Sequence, residues 1–304
     1  MNKWTTSSMP SQKGRSAVIT GTGGLGLEDA LELARMGGDV IIAGRNQQKG
    51  AEAVARIRAE VPSAQVQFEQ VDLANLKSIA DFATRLKAQR KSLDLLINNA
   101  AVMTPPDRQA TSDGFELQFG TNYLGHFALT AHLLPLLRQG KDARVVTLSS
   151  VAAREGAIDF DDLHSKRSYQ SMRAYGQSKL ACLLFAFELQ RRSEANQWGI
   201  TSIAAHPGIS RTDLLHNAPG RWSGTGMMRT FMWFLFQPAS QGALPTLFAA
   251  TAPEAKAGSY YGPDKMMEMR GFPTLAKVPP KSEDKVVANR LWGVSQELTG
   301  VTFH

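Results

Sequence analysis

The feature that most constrains the fold is an alternation, over the first 210 residues, of short apolar runs with helix-forming segments. The apolar runs are rich in β-branched residues and are bounded by turn residues, so they predict strands. Strands are expected at 17–20, 40–43, 66–70, 93–97, 144–148 and 201–205, and helices at 46–60, 76–90 and 115–138. This alternation predicts an α/β fold in which a doubly wound parallel sheet carries helices on both faces.

The length of the chain predicts one domain with additions near its carboxyl end. The 304 residues, 43% of them hydrophobic, are enough to bury a full core, which we expect over residues 15–304. Residues 1–14 are polar and basic and predict a disordered tail, whereas 239–250 predict a further helix. Residues 209–237 follow a strand end and are rich in glycine, proline and aromatic residues. Because insertions at strand carboxyl ends shape the ligand crevice, this segment is a predicted substrate lid.

The charge pattern bears on the partners of the protein. A net charge of +7 arises from 34 Lys+Arg and 27 Asp+Glu, spread along the chain without the basic runs typical of nucleic-acid-binding arms. An anionic ligand or ordinary solubility would each account for this balance. The longest uncharged apolar stretch, 230–237, is too short to span a bilayer. We expect no nucleic acid and no membrane span, and a homo-oligomer remains open.

The single cysteine, Cys182, rules out a disulfide within the chain and provides no spacing of zinc ligands. It is interpreted as a small buried hydrophobic residue in a reducing compartment. The expectation is therefore a cytoplasmic protein without a metal site.

A glycine-rich turn follows the first strand and leads into a helix, where Gly21, Gly23 and Gly26 fit the pattern G-x-G-x-x-G. Gly24 and Leu25 lie within the same turn. In that context glycines permit the tight turn and the approach of phosphate, and the helix N-terminus binds the anion. The turn therefore predicts a Rossmann-like dinucleotide site, the alternative being a glycine turn without a ligand.

The end of the second strand predicts which dinucleotide is bound. Gly44, Arg45 and Asn46 stand where NAD enzymes commonly place an acidic residue for the ribose 2′-hydroxyl. A guanidinium at this point suits the 2′-phosphate of NADP, by its charge and by its fork of donors. NADP(H) is therefore the predicted cofactor, the alternative being a solvated arginine at the start of a helix.

A candidate proton-transfer pair stands four residues apart in YGQSK. Tyr175 and Lys179 would share one face of the helix that continues through Leu189. A lysine ammonium one turn from a phenol stabilises the phenolate, as proton exchange near neutral pH requires. The same letters recur at 261–265, but there Gly262 and Pro263 disfavour a helical turn, so we expect no such pair.

The order of these motifs resembles the short-chain dehydrogenase/reductase family over nearly the whole chain. The resemblance rests on the glycine turn, Asn98-Asn99-Ala100-Ala101, Asn122 in FGTNYLGHF, Ser149-Ser150, Tyr175 with Lys179, and Pro207-Gly208. The long gap between Ser150 and Tyr175, which contains IDFDDL, and the later LWGVSQELTG are similar to the retinol-dehydrogenase-like branch. Two departures are a glycine turn one residue shorter than usual and Ala101 in place of glycine.

The resemblance implies a catalytic role for four residues. Tyr175 would exchange a proton with the substrate oxygen, and Ser150 would hydrogen-bond that oxygen. Lys179 would bind the nicotinamide ribose, and Asn122 would hold a water that connects Lys179 to solvent. Taken singly, Ser150 is also interpretable as a strand-end cap and Asn122 as a residue at a helix bend. Ser149 is interpreted as structural.

The resemblance also implies further cofactor contacts. Asp72 would meet the adenine beside Leu73, and Thr212 would anchor the carboxamide. The remaining contacts fall on Asn98, Asn99, Ala100, Pro207 and Gly208. Alone, Asp72 is equally a helix N-cap and Thr212 a turn residue.

These features predict an NADP(H)-dependent carbonyl reductase or alcohol dehydrogenase with Tyr175 as general acid and base. A lipophilic substrate is expected because the lid carries Met227, Met228, Phe231, Trp233, Phe234 and Phe236. These apolar residues would equally suit a helix that packs on the body. Two other functions stay open: reduction of a conjugated C=C bond, and a catalytically silent nucleotide-sensing protein of the same fold.

Overall fold

The structure is a computed structural model that describes residues 3–210 and 237–304. The strands are β1 Ser16–Thr20, β2 Asp39–Gly44, β3 Gln65–Gln70, β4 Leu95–Asn98, β5 Arg144–Leu148, β6 Thr201–Ala205, β7 Tyr260–Lys265 and β8 Arg270–Leu275. The α-helices are α1 Gly24–Arg35, α2 Gln47–Glu60, α3 Leu76–Gln89, α4 Gly125–Leu137, α5 Ser171–Ala195, α6 Ala239–Thr251 and α7 Lys285–Thr299. A π-helix, Phe119–Leu124, leads into α4.

The eight strands form one sheet in the order β3-β2-β1-β4-β5-β6-β7-β8. Neighbouring strands are parallel except for the last pair, β7 and β8, which is antiparallel. The predicted doubly wound sheet is confirmed, and the six predicted strands are present. The strand order reverses between β1 and β4, and ligands bind at such a switch point, beyond the carboxyl ends of the strands.

The alternation of side chains along each strand fills two cores, one on each face of the sheet. Ala17 and Ile19 of β1 pack with α1 and α6, while Val18 between them faces the core formed by α3, α4 and α5. Strands buried on both faces read as continuous apolar runs, which explains why the sequence indicated them. Within the described residues, no helix combines the length and apolar composition needed to cross a membrane.

The C-terminal helix α7 closes the second core with an aromatic cluster. The ring centroid of Trp292 lies 5.0 Å from that of Phe127, 5.8 Å from Phe185 and 4.4 Å from Phe303. The helix begins where the Asp284 carboxylate accepts hydrogen bonds from the first turn, and it ends at Gly300, which has a φ of 67°. Helix α7 and strands β7 and β8 were not among the predicted elements.

The N-terminal segment differs from the disordered tail predicted for residues 1–14. From residue 3 onward it packs on the body, and Trp4 and Met9 are buried. The Trp4 ring lies edge-on to Phe248 of α6 at 5.4 Å, and the Gln12 amide donates to the Met36 carbonyl at 2.8 Å. The average polarity of the segment concealed two large apolar side chains, whose burial offsets the entropy of ordering it.

Candidate active site

A cavity of about 570 Å³ opens at the carboxyl ends of the central strands, where the strand order reverses. This volume lies within the range of small-molecule and cofactor sites. Its walls carry most of the residues predicted from the sequence, namely Gly21, Gly23, Gly24, Leu25, Arg45, Asn46, Asp72, Leu73, Asn99, Ala100, Tyr175, Lys179 and Pro207. Residues from six separate segments of the chain therefore meet in one cavity.

The glycine turn adopts a conformation that requires glycine at two positions. Gly21 has a φ of 104° and Gly24 a φ of 52°, while Gly23 is extended and caps α1. A Cβ atom at Gly26 would lie 2.8 Å from the Gly21 carbonyl oxygen and 2.6 Å from Asn99 Nδ2. The left-handed positions are thus Gly21 and Gly24, and the close packing falls on Gly26. The turn closes although it is one residue shorter than the family pattern.

This turn fits the pyrophosphate of a dinucleotide. Helix α1 begins at Gly24 in the cavity wall, so the backbone N–H groups of its first turn have no partner within the helix. Such N–H groups and the helix dipole favour an anion. A Cβ atom at Gly21 would lie 2.8 Å from Asn99 Nδ2, so the compact junction between the turn and the Asn99 segment depends on glycine.

The hydroxyl of Thr20, at the end of β1, ties the glycine turn to that segment. Thr20 Oγ1 accepts hydrogen bonds from the Asn99 and Ala100 amides at 2.9 and 3.0 Å, and Asn99 Nδ2 donates to the Thr20 carbonyl at 2.7 Å. The hydroxyl also lies 2.9 Å from His126 Nε2. Two cofactor-lining loops therefore share one buried hydroxyl, a role for Thr20 that was not predicted from the sequence.

The protonation of His126 follows from its partners. Its Nδ1 lies 2.9 Å from the Asn122 carbonyl, which can only accept, so Nδ1 carries the proton. The bare Nε2 then accepts from the Thr20 hydroxyl. Burial lowers the pKa of His126 to about 4, and the nearby Lys179 lowers it too, so the ring is neutral at physiological pH. The signal in the sequence was a histidine at the start of the apolar run that becomes α4, which also contains His132.

Tyr175 and Lys179 lie one turn apart on α5 and both line the cavity, as the spacing predicted. Lys179 Nζ is 5.9 Å from the Tyr175 ring centroid and donates to the Leu148 carbonyl at 3.1 Å. The Ser149 hydroxyl donates to the Lys179 carbonyl at 2.8 Å. The buried Ser149 thus attaches β5 to α5, which agrees with its interpretation as structural.

Ser150 follows β5 and caps the 3₁₀ helix Val151–Glu155, where its Oγ accepts from the Ala152 amide at 3.2 Å. The capping interpretation is therefore correct, and it leaves the hydroxyl hydrogen available to a substrate oxygen. The 3₁₀ helix packs closely on α5, because a Cβ atom at Gly156 would lie 2.5 Å from the Gly176 carbonyl oxygen. This contact holds the Ser150 segment beside the helix that carries Tyr175.

Asn122 lies in the π-helix and connects this helix to Val102 and to Ser178 of α5 by hydrogen bonds. Its side chain accepts from the Val102 amide at 2.8 Å and donates to the Val102 carbonyl and to Ser178 Oγ, both at 3.0 Å. Its carbonyl oxygen accepts from His126 Nδ1 at 2.9 Å and from Cys182 Sγ at 3.2 Å. That carbonyl already accepts from two protein donors, and the water-binding role that the resemblance implied stays a prediction. The helix-bend interpretation agrees with the geometry.

The opposite end of the cavity carries the exposed Arg45, Asn46 and Lys49. Asn46 Oδ1 accepts from the Lys49 amide at 2.9 Å and caps α2. Asp72 lines the cavity while its Oδ1 accepts from the Ala74 amide at 2.9 Å. The N-cap of α3 is Asn75 rather than Asp72.

Three other predicted cofactor residues lie elsewhere. Asn98 is buried and donates to Thr130 Oγ1 at 3.1 Å, which places it beneath the cavity and not in its wall. Gly208 has a φ of 63° and follows the cavity-lining Pro207. Thr212 lies outside the described residues, as do residues 211–236 of the predicted lid.

The second Y-x-x-x-K sequence lies in β7 and not in a helix, as predicted. Tyr261 is buried and its hydroxyl accepts from the Lys256 amide at 2.9 Å, whereas Lys265 is exposed. At about 3.4 Å of rise per residue, four residues in a strand separate two side chains too widely for direct contact.

Comparison with known proteins agrees with this arrangement of fold and site. The profile of the family described as short chain dehydrogenase matches residues 15–221. Retinol dehydrogenase 13 of Mus musculus is 42% identical over 298 residues, which cover 95% of this chain and 84% of that protein. Polyprenol dehydrogenase of Mus musculus is 40% identical, with 96% and 86% covered. Retinol dehydrogenase 12 of Mus musculus is 42% identical, with 95% and 87% covered.

Solved structures show the same fold. A putative uncharacterized protein from Mycobacterium paratuberculosis has a TM-score of 0.82 and 38% identity, with both chains fully covered. The Pseudomonas aeruginosa RhlG/NADP active-site complex has a TM-score of 0.64 and 23% identity, with 82% of this chain and 94% of that chain covered. The molecule is thus an oxidoreductase with a Rossmann-like sheet. It belongs to the short-chain dehydrogenase/reductase family and is similar to the retinol dehydrogenases.

Proposed function

We propose that this protein transfers hydride between NADP(H) and the carbonyl or alcohol group of a lipophilic substrate, with Tyr175 as general acid and base. The observation that carries the proposal is the placement of Tyr175 and Lys179, one turn apart, in the wall of the cavity that also contains the glycine turn. The ends of this cavity offer a dinucleotide site and a proton-transfer group. An oxidoreductase of this family needs both.

The roles of the residues follow from their atoms. A bound nicotinamide supplies or accepts the hydride. The Tyr175 hydroxyl donates a proton to the substrate oxygen during reduction and accepts it during oxidation. The Ser150 hydroxyl donates a hydrogen bond to the same oxygen, which stabilises its developing negative charge. The Lys179 ammonium donates hydrogen bonds to the ribose hydroxyls of the nicotinamide.

The preference for NADP(H) rests on the residues after β2. The cavity wall there consists of Ala43, Gly44, Arg45, Asn46 and Lys49, none of which is acidic. Two exposed cations at this end suit the 2′-phosphate, and the guanidinium offers paired donors. None of these five residues could accept hydrogen bonds from the ribose hydroxyls of NAD through a carboxylate.

The lipophilic substrate is supported by the part of the cavity wall beyond Ala101. Val102, Met103, Pro105, Pro106 and Leu117 line it with apolar surface. Retinol and polyprenol, which the names of the relatives give as substrates, are themselves largely apolar alcohols. The proposal includes a cytoplasmic protein that binds no nucleic acid, and it leaves both a monomer and a homo-oligomer open. Cell fractionation and light scattering test the location and the oligomeric state.

The first test replaces Tyr175 by Phe and follows NADPH oxidation at 340 nm with a panel of aldehydes and ketones, including retinal. We expect turnover to be almost lost while NADPH affinity stays close to wild type, because the ring remains and only the proton donor is removed. Tyr261→Phe is the matched control and should keep normal kinetics. Substantial activity in Tyr175→Phe would overturn the assignment.

The second test concerns the cofactor and uses fluorescence titrations of NADPH and NADH with wild type and Arg45→Ala. A charge-assisted hydrogen bond contributes about 1.5–3 kcal/mol, so the NADPH dissociation constant should rise about 10- to 100-fold. Exposure of Arg45 favours the lower end, and the affinity for NADH should barely change. Equal weakening of both cofactors would show that Arg45 supports the fold and does not bind the 2′-phosphate, and a wild type that prefers NADH would overturn the NADP assignment.

Two other functions are separated by the same preparation. A reductase of conjugated C=C bonds would return a saturated aldehyde instead of an allylic alcohol, which product analysis distinguishes. A nucleotide-sensing protein would bind NADPH without turning over any member of the panel. The presence of Ser150, Tyr175 and Lys179 together favours turnover.

A further inference from the structure

The turn between β7 and β8 has an unusual backbone. Met266, Met267 and Glu268 have φ angles of 50°, 53° and 67°, so three successive residues with a Cβ atom occupy the left-handed region. Crowding of Cβ disfavours that region for any residue except glycine. Such a conformation persists only where surrounding contacts determine it, and it concentrates at functional sites.

The contacts that hold the turn converge on one carboxylate. Glu268 Oε2 lies 2.6 Å from Arg154 Nη2 and 3.0 Å from His206 Nε2, while Oε1 accepts from the Lys277 amide at 2.7 Å. The Gly208 amide donates to His206 Nδ1 at 3.2 Å, so the imidazole hydrogen is on Nε2 and points to Glu268. The histidine ring is fully buried. The left-handed turn therefore delivers a carboxylate to a buried imidazole and an arginine.

These two partners belong to two separate segments of the chain, one after β5 and one after β6. Arg154 lies in the 3₁₀ helix that Ser150 caps. His206 directly precedes Pro207, which lines the cavity beside Tyr175 and Lys179.

The backbone around the histidine fits closely as well. The Ile209 amide donates to the Met269 carbonyl at 2.8 Å, and a Cβ atom at Gly208 would lie 2.3 Å from that carbonyl oxygen. A Cβ atom at Gly262 would lie 2.0 Å from His206 Nε2, so a glycine there makes room for the ring on β7. The turn and the segment after β6 thus form one packed unit.

We propose that Glu268 is a positioning residue, which holds the Ser150 segment and the Pro207-Gly208 segment in a fixed relation through Arg154 and His206. This inference rests on the proposed function, in which Ser150 binds the reacting oxygen, and on the position of Pro207 in the wall of the cavity. Hydride transfer needs both groups in register, because small displacements of reacting atoms lower the rate steeply. The unfavourable backbone of the turn is retained since it brings the carboxylate to both partners.

A purely structural role makes a different prediction. An ion pair that only stabilised the fold would, when removed, lower the melting temperature and leave the surviving active enzyme with unchanged kinetics. A positioning role changes the chemical step itself. The two are separated by the primary deuterium isotope effect on kcat and by local amide exchange.

The test is Glu268→Gln, which keeps the size of the side chain and an acceptor for the Lys277 amide but removes the charge that pairs with Arg154. Its matched control is Glu283→Gln, the same change at an exposed position. We expect kcat with an aldehyde to fall about 10- to 100-fold in Glu268→Gln, because a displaced reacting group lowers the rate of the chemical step. The isotope effect with deuterated NADPH should increase, while the NADPH dissociation constant changes less than kcat. Glu283→Gln should match wild type in all three.

Two further measurements keep the inference testable without turnover. Hydrogen–deuterium exchange should become faster in peptides covering 150–156 and 206–209 of Glu268→Gln, and stay unchanged in a peptide from α2. Met267→Gly removes the steric cost of a left-handed backbone at one residue of the turn and leaves the Glu268 carboxylate in place. This variant should retain kcat and the wild-type exchange pattern.

The outcomes are distinct. Absence of turnover in the wild type would refute the proposed function, and the exchange data would then decide the positioning role alone. Wild-type turnover together with unchanged kcat, isotope effect and exchange in Glu268→Gln would overturn the inference and leave the proposed function intact. If Glu268→Gln does not fold, Arg154→Met takes its place, with faster exchange expected at 150–156 only. Unchanged exchange there would overturn the role of Glu268 as the link.

Discussion

Thr20→Val tests whether one buried hydroxyl organises the cofactor side of the cavity. Valine has nearly the shape of threonine and suits the strand, so the substitution removes hydrogen bonding with little change in packing. Thr20 is fully buried, and its hydroxyl accepts from the Asn99 and Ala100 amides at 2.9 and 3.0 Å. It also lies 2.9 Å from the unprotonated Nε2 of His126.

The magnitude follows from the groups that lose their partner. Two backbone N–H donors and one imidazole acceptor would remain without the hydroxyl, and each unsatisfied buried polar group costs about 1–3 kcal/mol. Asn99 and Ala100 are only half-buried, so water can replace part of the loss at their amides. We expect the free energy of unfolding to fall by about 2–4 kcal/mol, a large share of the usual 5–15 kcal/mol.

The assay is urea unfolding followed by tryptophan fluorescence, with NADPH titration of the folded protein. NADPH affinity should also fall, because the Asn99 and Ala100 segment lines the cavity. Thr147→Val is the matched control, since it removes a longer contact of 3.5 Å to Asn98, whose side chain keeps its bond to Thr130 at 3.1 Å. The control should lose no more than about 1 kcal/mol. Equal losses in both variants would refute the reasoning.

Three further substitutions test one buried carboxylate and two glycine positions. Within the described residues, neither carboxylate oxygen of the buried Asp29 has a partner, and burial, then Glu28, holds its pKa well above the ordinary 3.8. The native state therefore keeps a proton that the unfolded chain releases, and stability should fall as the pH rises from that value to the raised native pKa, by up to about 1.4 kcal/mol per pH unit. Asp29→Asn does not titrate, so urea unfolding from pH 4 to 8 should favour it increasingly over wild type, and a constant gap would contradict this. Gly125→Ala should lose about 1–3 kcal/mol and weaken NADPH, because its Cβ would lie 2.3 Å from the backbone oxygen of Leu73. Gly293→Ala in α7, with open space around it, should instead gain about 0.5–1 kcal/mol.

The strands that the sequence predicted correctly are those buried on both faces. In β2 the run Asp39–Gly44 is buried over its four central residues, and only a strand between two layers of helices explains so short an apolar run. Strands β7 and β8 gave no such pattern, because each contains glycine and proline and one end of each is exposed. Strand β7 joins the sheet by pairing with β6, and β8 by pairing with β7, which no local pattern reveals.

Within the site, the predictable residues were those whose spacing is short. Tyr175 and Lys179 are four residues apart, and the glycines of the turn all lie between positions 21 and 26. Thr20 and His126 are 106 residues apart, and Glu268 is 62 residues from His206. Their roles exist only when distant strands bring them together, so a single sequence shows each of them as an isolated polar residue. The burial of Trp4 was missed for the same reason, since its partner Phe248 lies far from it in the sequence.

The two adjacent serines after β5, Ser149 and Ser150, differ in how their hydroxyl groups are hydrogen-bonded. Side chains alternate along an extended chain, so neighbouring residues point to opposite sides. Ser149 is buried and uses its hydroxyl hydrogen on the carbonyl of Lys179, which fixes α5 against the sheet. Ser150 is half-buried, accepts a hydrogen bond from the Ala152 amide and retains a hydrogen to donate. A serine that has already donated to a backbone carbonyl cannot stabilise a developing oxyanion without breaking that bond. The second serine can, so its free hydrogen supports the proposed role of Ser150, while Ser149 is the one of the two that lines the cavity.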